Sequence, residues 1–451
     1  MSFSLIPIKL EPKKPTQKID GHIQMSHRLF TRLHLKDHRE LNIALGQKTI
    51  TTTVQTVEMA ANEIHIPDDL IKAIDLPVQA YKFHAMFLPE SYTLKLGPVI
   101  GLLTDFPSNK TEDPHFRSVH LFCEELHHGI TENGGFFYVF SYDKFPSQGY
   151  YFENEKWIPA QLPMPDVIYN RIHSRKLEYS KLFQQFRQKL DKYSIPFFND
   201  RFLSKWEVYE QLKDEIQLDP YIPETHLFSK ETFQDFSEKY DTLFLKPIHG
   251  SQGRNIIKLK READHQYSFQ TSFTTLSGSN NQRFPLEEIY QQIKPLLNNR
   301  IYLIQQGITL VTHELKAMDF RVLVHKNPAN QWTVTSTVAR IAAEKEFVSN
   351  LARGGTITRP LNALRFCMSH KQSLEVLSVM KELALETASA ISRNSEGITG
   401  ELGIDIGVDQ DRKPWVIEVN SKPSKNFEDG LGNIRPSAKA IILFSTKLAF
   451  E

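Results

Sequence analysis

Cysteine is almost absent from this chain of 451 residues. The two cysteines, Cys123 and Cys367, lie far apart and show no metal-ligand spacing, so they offer neither a disulfide framework nor a zinc site. Such sparse use of cysteine is typical of a reducing compartment. We therefore expect a cytoplasmic protein.

Excess charge and long apolar runs are also lacking. The 54 Lys and Arg residues nearly balance the 53 Asp and Glu residues, and a net charge of +1 indicates neither a nucleic-acid partner nor an anionic membrane surface. No run of about 18 apolar residues occurs, as a membrane-spanning helix would need. The opening MSFSLIPIKLEPKKP has too short an apolar run for a signal peptide. We therefore expect no nucleic acid and no membrane as partner.

Length and composition predict a globular protein of about three domains, at roughly 150 residues each. Hydrophobic residues make up 40% of the chain and charged residues 24%. Residues 1–95 include alternating Thr and Val over 49–57, which predicts a small β-rich domain. We predict a second, α/β domain over residues 96–200 and a third domain over 201–451.

A strand–helix–strand pattern opens the second unit. Residues 97–106, GPVIGLLTDF, read as a buried strand, a helix closed by two glycines follows, and residues 136–142 read as the next strand. The helix contains His127 and His128. Because adjacent residues do not share a helix face, we expect surface histidines rather than a metal pair.

Polar side chains end another strand of this unit. DVIYNR predicts a strand that ends with Asn170 and Arg171, and Arg175 follows four residues later. Ligands gather at strand ends in open α/β sheets. Asn170, Arg171 and Arg175 are therefore candidates for holding an anionic substrate group, and the alternative is that the arginines pair with acids.

A glycine loop between two strands marks the third unit. TLFLKP precedes the loop HGSQGRN, and IIKLKRE follows it. Gly250 and Gly253 allow backbone N–H groups to turn toward a phosphate. The loop matches neither the P-loop nor the dinucleotide-binding pattern. A flap over a triphosphate and a plain β-turn are both compatible with it.

The remaining pattern predicts one sheet with a long helix on it. The segments IYLIQQGI, MDFRVLVHK, QWTVTSTVARIA and WVIEVN read as strands of that sheet, and residues 372–394 read as the helix. A shorter helix over 204–215 begins at Ser204 as its N-cap. The polar stretch 268–283 predicts an exposed loop.

Oxygen-bearing side chains share one face near the C-terminus. Glu418 and Asn420 are two residues apart in WVIEVN, so they point the same way on a strand. If this strand pairs with LGIDIGV across the polar turn between them, Asp405 lies opposite Glu418. Such a patch suits Mg²⁺, which takes one or two carboxylates plus substrate phosphates. The alternative is a solvated Glu beside a turn-forming Asn.

The motifs of the C-terminal half occur in an order that resembles the ATP-grasp superfamily. They are Lys205, Lys246, QQGI at 305–308, DFR at 319–321, Ala339-Arg340, NLARGG at 350–355, Asp405 and EVN at 418–420. The stretch from IQQGI to EVNSKP is most similar to the RimK and glutathione-synthetase branch. PDVIYNRIHSR, FLSKWEVYEQL, LKPIHGSQGRNI and MDFRVLVHKN resemble the YheC/YheD family of endospore coat-associated proteins. The resemblance implies an α/β (α+β) ATP-grasp fold preceded by an α/β domain and a small β-rich domain.

This resemblance also implies a site for ATP and Mg²⁺. The residues that would contact the nucleotide are Lys205, Lys246, Gly250, Ser251, Gln252, Gly253, Gln305, Gln306, Gly307 and Ile308. The ligands of Mg²⁺ would be Asp405, Glu418 and Asn420. Arg321 and Arg340 would steady the γ-phosphate, whereas Arg353 and Asn350 would face the acceptor. Residues 305–308 would form the hinge segment, and many relatives have an acid at its first position, where this chain has Gln305.

The implied activity is that of an ATP-dependent carboxylate–amine or carboxylate–thiol ligase acting through an acyl phosphate. Its partners would be a small-molecule or peptide carboxylate and an amine or thiol. Two alternatives stay open, a small-molecule kinase and a non-catalytic ATP-binding protein of the spore coat. No Ser/His/Asp or Cys/His arrangement in the sequence demands a covalent enzyme nucleophile.

Overall fold

The computed structural model describes residues 5–13, 22–36, 40–106, 114–146, 148–250, 253–273, 280–297, 300–343, 354–425 and 434–451. Within these ranges the chain forms a closed β-barrel and three open sheets, with helices packed against them. Among the helices described, none combines the length and apolar character needed to cross a bilayer.

The N-terminal part is a β-barrel. Its elements are β1 (Ile6–Lys13), β2 (His22–Ser26), α1 (His27–Arg32), β3 (Leu41–Leu45), β4 (Lys48–Val57), β5 (Glu63–Pro67), α2 (Asp68–Ala73), β6 (Tyr81–Leu88) and β7 (Thr93–Gly97). The strands close in the order β1-β5-β2-β4-β3-β7-β6. Buried and exposed residues alternate along the strands, as expected when one face of a sheet is turned to a barrel interior. In β1, Ile6, Ile8 and Leu10 are buried, whereas Pro7 and Lys9 between them are exposed. Closure leaves no open sheet edge.

The second sheet is mostly parallel. Its elements are β8 (Val99–Leu103), α3 (His120–Asn133), β9 (Phe136–Phe140), β10 (Gly149–Glu153), β11 (Lys156–Ala160), β12 (Val167–Asn170), α4 (Arg175–Glu178), α5 (Lys181–Lys192) and β13 (Phe197–Phe198). The strand order is β11-β10-β9-β8-β12-β13. Every residue of β8 and β9 is buried, as expected for parallel strands covered on both faces. Gly134, at φ +86°, ends α3 in the left-handed conformation, so the predicted glycine closure is confirmed.

The third sheet is antiparallel. Its elements are α6 (Lys205–Leu212), β14 (Thr225–Leu227), α7 (Lys230–Lys239), β15 (Thr242–Pro247), β16 (Ile257–Arg261), β17 (Gln266–Thr271), β18 (Asn280–Pro285), α8 (Leu286–Ile293) and β19 (Tyr302–Gln306). The strands lie in the order β14-β19-β15-β16-β17-β18. β15 and β16 form the predicted hairpin around the glycine loop.

The remaining elements form the fourth sheet and the helices packed on it. Its elements are β20 (Thr312–His313), β21 (Lys316–Lys326), β22 (Trp332–Ile341), β23 (Thr356–Thr358), α9 (Pro360–Leu364), α10 (His370–Asn394), β24 (Glu401–Val408), β25 (Pro414–Asn420) and α11 (Pro436–Phe450). The strand order is β23-β22-β21-β24-β25, and β20 pairs with β21. The last helix, α11, packs on α3, β8 and β12 as well as on β21 and β22, so the chain end returns to the second sheet. The domain boundaries at residues 95 and 200 stay predictions.

Two sequence predictions about strands are wrong. β19 pairs with β14 and β15, whereas β21, β22 and β25 lie in the fourth sheet, so the four segments do not share one sheet. Alternation identifies a strand but not its partner. The stretch 268–283, predicted as a loop, includes parts of β17 and β18. β18 is an edge strand of the third sheet.

The predicted start of one helix is confirmed by its cap. The Ser204 hydroxyl accepts the N–H of Glu207 at 3.1 Å, and the Glu207 carboxylate accepts the N–H of Ser204 at 2.7 Å. This capping box places Lys205 at the first position of α6. A second capping box, at Ser369, begins α10 at His370, two residues before the start predicted for this helix at Gln372.

A buried carboxylate ties the second sheet to the fourth. Glu401, at the start of β24, accepts a hydrogen bond from the Tyr169 hydroxyl at 2.5 Å and pairs with Nε2 of His325 at 2.9 Å. The ammonium of Lys425 contacts the same carboxylate, and Nη1 of Arg171 lies 3.5 Å from it. Burial raises the pKa of Glu401, but Lys425, His325 and Arg171 outweigh burial and hold that pKa far below its usual range.

Glu401→Ala should lower the free energy of unfolding by about 3–5 kcal/mol, because Lys425 and Arg171 would stay buried without their carboxylate. Urea denaturation measures the loss. The matched control is Glu287→Ala, which removes the exposed pair of Glu287 with Lys230 at 3.0 Å and should cost less than about 1 kcal/mol. Equal losses in the two variants would contradict the role of Glu401.

Candidate functional site

A cleft of about 1040 Å³, open to solvent, lies between the third and fourth sheets. One wall comes from β15, β19 and the glycine loop, and the other comes from β21, β22, β24 and β25. The predicted site residues that line it are Lys205, Lys246, Gly250, Gly253, Gln305, Gln306, Ile308, Arg340, Asp405 and Glu418. Folding thus brings together residues that span more than 200 positions of the chain.

Part of the cleft lining is apolar. It is formed by Phe244, Ile256, Ile308, Leu310, Met318 and Ile417. Asp405 pairs with Glu418 whereas Ile406 pairs with Val416, so Ile417 is the extra residue of a β-bulge. The bulge explains why neighbouring Ile417 and Glu418 both line the cleft. Simple alternation cannot reveal this, because it assigns adjacent residues to opposite faces.

The charged part of the cleft centres on Asp405. The Asp405 carboxylate accepts hydrogen bonds from Nε and Nη2 of Arg321, the latter at 2.8 Å, and pairs with Nη2 of Arg340 at 3.0 Å. Arg340 also grips Asp319 through two hydrogen bonds of 2.6 and 2.8 Å. Burial raises the pKa of Asp405, but Arg321 and Arg340 more than reverse it, so the pKa lies below its usual range. Asp405 is therefore an ionised carboxylate at neutral pH.

Glu418 and Asn420 complete the predicted oxygen patch. Asp405 and Glu418 are direct partners across β24 and β25, so the predicted register is confirmed. Glu418 pairs with Lys205 at 2.6 Å, and Nδ2 of Asn420 donates to Asp405 at 3.4 Å. Among the described residues, no group of three or more His, Cys, Asp or Glu side chains is placed to hold a metal ion. Two carboxylates and an amide oxygen fit Mg²⁺ when phosphates supply further ligands.

Side-chain and backbone contacts hold the end of β19 and the hinge segment that continues it. Lys246 donates to Oε1 of Gln305 at 2.5 Å, and Nε2 of Gln305 donates to Thr225 at 2.9 Å. The Gly307 N–H donates to the Thr242 carbonyl at 2.8 Å. Burial, reinforced by the neighbouring Lys205 charge, lowers the pKa of Lys246 to about 8.

The structure corrects the environment expected for Asn170 and Arg171. Both are buried rather than in the cleft. Asn170 donates to Glu178 and to a backbone carbonyl, and Arg171 donates to the Pro423 carbonyl at 2.8 Å and lies beside Glu401. For Arg171 the alternative of pairing with an acid is the better description, and the Asn170 amide is bonded to an acid as well.

Arg175 lies nearer the cleft. Its Nη2 donates to the Leu203 carbonyl at 2.7 Å, and its Nη1 contacts His249, which directly precedes Gly250. Arg321 contacts the lining residue Asp405 without lining the cleft itself, and Gly307 lies between the lining residues Gln306 and Ile308 but does not line the cleft. The predicted residues outside the described ranges are Ser251, Gln252, Asn350 and Arg353.

Sequence reasoning missed two polar lining residues. Arg254 lines the cleft and directly follows Gly253 of the glycine loop, and this position beside the loop could have identified it. Asp319 stands in the DFR motif with Arg321, and its partnership with Arg340 becomes visible only through the pairing of β21 with β22.

Two open sheets that enclose such a cleft are the arrangement of ATP-grasp proteins. The family model described as YheC/D like ATP-grasp matches residues 194–448, more than half of the chain. The chain therefore belongs to the YheC/D-like ATP-grasp family.

The chain is similar to two proteins of Bacillus subtilis (strain 168). Endospore coat-associated protein YheD is 28% identical over 411 residues, which cover 88% of this chain and 88% of that protein. Endospore coat-associated protein YheC is 27% identical over 281 residues, covering 61% of this chain and 75% of that protein. Among solved structures, D-alanyl-alanine synthetase A from Vibrio cholerae O1 biovar eltor is 13% identical, covers 79% of this chain and 99% of its own, and gives a TM-score of 0.47.

Gly307→Ala should lower the free energy of unfolding by about 1–3 kcal/mol, because the new methyl overpacks the hinge. Its Cβ would lie 2.5 Å from Cγ2 of Thr242 and 2.6 Å from the Thr242 carbonyl oxygen. Gly250→Ala, in the cleft lining, is the comparison, since its Cβ meets the Pro247 ring at 2.9 Å and no backbone atom closer than 3.7 Å. Thermal unfolding compares the two, and a larger loss for Gly250→Ala would contradict the expectation.

Proposed function

We propose that this chain is an ATP- and Mg²⁺-dependent ligase that joins a carboxylate to an amine or a thiol. The observation that carries the proposal is the composition of the cleft, which combines an apolar slot with a cluster of lysines, arginines and paired carboxylates between the two sheets. A purine needs apolar walls, and a triphosphate needs cations and a divalent metal. Membership of an ATP-grasp family supports the same assignment.

The apolar slot suits the base of the nucleotide. Phe244, Met318 and Ile417 supply its walls. The N–H groups of Gln306 and Gly307 are already bonded to the carbonyls of Glu224 and Thr242, so the base edge would meet the N–H of Ile308. Because Gln305 carries no charge, the hinge recognises the nucleotide by shape and backbone hydrogen bonds rather than by an acid.

The charged part suits the phosphates. Lys205 and Lys246 would each contact phosphate oxygens as point charges, and residues 250–253 would cover them. Asp405, Glu418 and Asn420 would hold Mg²⁺, which neutralises phosphate charge when bound. Lys205 and Glu418 are paired at 2.6 Å. When the nucleotide binds, Lys205 would contact phosphate and Glu418 would contact Mg²⁺ in place of each other.

Arg321 and Arg340 would stabilise charge on the transferred phosphoryl group. Both are held in place by Asp405, so their orientation is set before the substrate arrives. Arg175, Asn350 and Arg353 would lie on the acceptor side, where an arginine fork can grip a planar carboxylate through two hydrogen bonds.

A spore-coat role is the second candidate. It rests on the names of the two Bacillus subtilis relatives, both endospore coat-associated proteins. A non-catalytic coat protein would bind nucleotide without turning it over, so the turnover measurement below separates the two candidates.

Nucleotide affinity should rise as the pH falls from 9 to 7, because Lys246, with a pKa of about 8, gains its proton over this range. Lys246→Met should weaken binding at pH 7 by about tenfold or more, the effect of losing a charge-assisted hydrogen bond of about 1.5–3 kcal/mol. The variant should also lose most of the pH dependence. Isothermal titration calorimetry with ATP and Mg²⁺ measures both effects. Lys260→Met, on exposed surface of β16, is the control, and an affinity equal to that of the control would reject the role of Lys246.

The ligase reaction should transfer oxygen from acceptor to phosphate. With an acceptor carboxylate labelled with ¹⁸O, attack on the γ-phosphate and later release place one labelled oxygen in inorganic phosphate. Mass spectrometry after incubation with ATP, Mg²⁺ and labelled amino acids or peptides detects it, and Glu418→Ala should abolish the signal. Unlabelled phosphate would indicate hydrolysis, a phosphorylated product would indicate a kinase, and either result would overturn the ligase assignment.

A further inference from the structure

A second group of reactive side chains lies beside the second sheet, outside the cleft lining. Oγ of Ser118 is 2.9 Å from Nε2 of His173, and Nδ1 of His173 is 3.3 Å from Oδ1 of Asp105. The three residues are separated by up to 68 positions, and their chain order, Asp–Ser–His, suggests no motif. The hydrogen-bonded series exists only in the folded chain.

The position of this group in the sheet is the one where ligands gather. Asp105 follows β8, and His173 follows the parallel neighbour β12. The chain passes from β8 through α3 to β9 on one side, whereas β12 lies on the other side, so β8 and β12 flank the point at which the strand order reverses. Open α/β sheets bind ligands in the crevice at such a point.

The hydrogen bonds assign the protons of the imidazole. The Thr104 hydroxyl donates to the Arg171 carbonyl at 3.1 Å and lies 3.3 Å from Nδ1 of His173, so toward that nitrogen it can only accept. The Asp105 carboxylate accepts as well, and it also holds the His173 N–H at 2.6 Å. Nδ1 therefore carries the proton, and Nε2 presents its lone pair to the Ser118 hydroxyl.

The hydrogen-bonded side chains differ in their exposure to solvent. Asp105 is 9% exposed and pairs with Arg117 at 3.2 Å, whereas Ser118 is exposed. The His173 hydrogen bonds and the Arg117 charge outweigh burial and keep the pKa of Asp105 below its usual range. Ser118 lies in the 3₁₀ turn Arg117–Val119, which leads directly into α3, a helix of 14 residues. The positive end of the α3 dipole favours negative charge developing near this turn.

We propose that Asp105, His173 and Ser118 form a nucleophilic acyl-transfer site whose substrate is an activated acyl group such as an ester. Ser118 Oγ attacks the carbonyl carbon while its proton passes to Nε2 of His173. Collapse breaks the bond to the leaving alcohol, which takes that proton, and an acyl-Ser118 ester remains. Water then attacks this ester through His173, releases the acid and restores the Ser118 hydroxyl.

A fluorophosphonate probe on the full-length protein, without ATP, tests the proposal. Peptide mass mapping should find one adduct on Ser118, and p-nitrophenyl acetate should be hydrolysed by the same preparation. Ser118→Ala should abolish both signals, and His173→Gln should slow labelling by about 10²–10⁴-fold, the usual effect of losing a general base. Ser141→Ala is the matched control, because it removes a hydroxyl that follows the neighbouring parallel strand β9 and should leave labelling unchanged.

Two results would overturn the proposal. One is the absence of an adduct on Ser118 in the parent protein, and the other is labelling of Ser118 that His173→Gln leaves unaltered. Either result would mean that the hydrogen bond only ties the turn before α3 to the sheet. Because Ser118 is exposed, Ser118→Ala is expected to melt at the parent temperature, so loss of signal cannot be assigned to unfolding.

Discussion

The burial of one carboxylate, that of Glu401, is the constraint on which the arrangement of the C-terminal half depends. A charge without solvent is tolerated only with partners in contact, and leaving one unpaired is costly. Tyr169 and Arg171 come from the second sheet, His325 comes from β21, and Lys425 follows β25. These contacts therefore connect the second sheet to the fourth through one buried carboxylate.

The strand that begins with Glu401, β24, also contributes Asp405 to the cleft. Glu401, Gly403 and Asp405 alternate along β24 and share one face. A Cβ at Gly403 would lie 2.9 Å from Cβ of Pro423 and 3.3 Å from Cδ of Arg321, so glycine makes room for the arginine that grips Asp405. The charged part of the cleft is therefore fixed by its neighbours on both sides. Preorganised charge of this kind is what phosphoryl transfer requires, because reorientation during the reaction would raise its barrier.

The sequence predicted much of the fold and the core of the candidate site. Two alternating segments joined by a short polar turn predicted that β24 pairs with β25. The predicted position of Asp405 opposite Glu418 is confirmed. Alternation did not predict the bulge at Ile417, the separate sheet of β19, or the burial of Arg171. Each of these depends on what packs against the strand, and a strand's own residues carry little information about that.

By itself, the sequence determined local structure and membership of a family. Capping residues such as Ser204 act within one turn of helix, and alternation acts within one strand, so both are readable from neighbouring letters. Tertiary structure alone decided which charges neutralise one another, as Arg171 with Glu401, and brought Asp105, Ser118 and His173 into hydrogen-bonding distance. The physical reason is that the strength of a charge pair depends on burial and distance, which exist only after distant segments have packed.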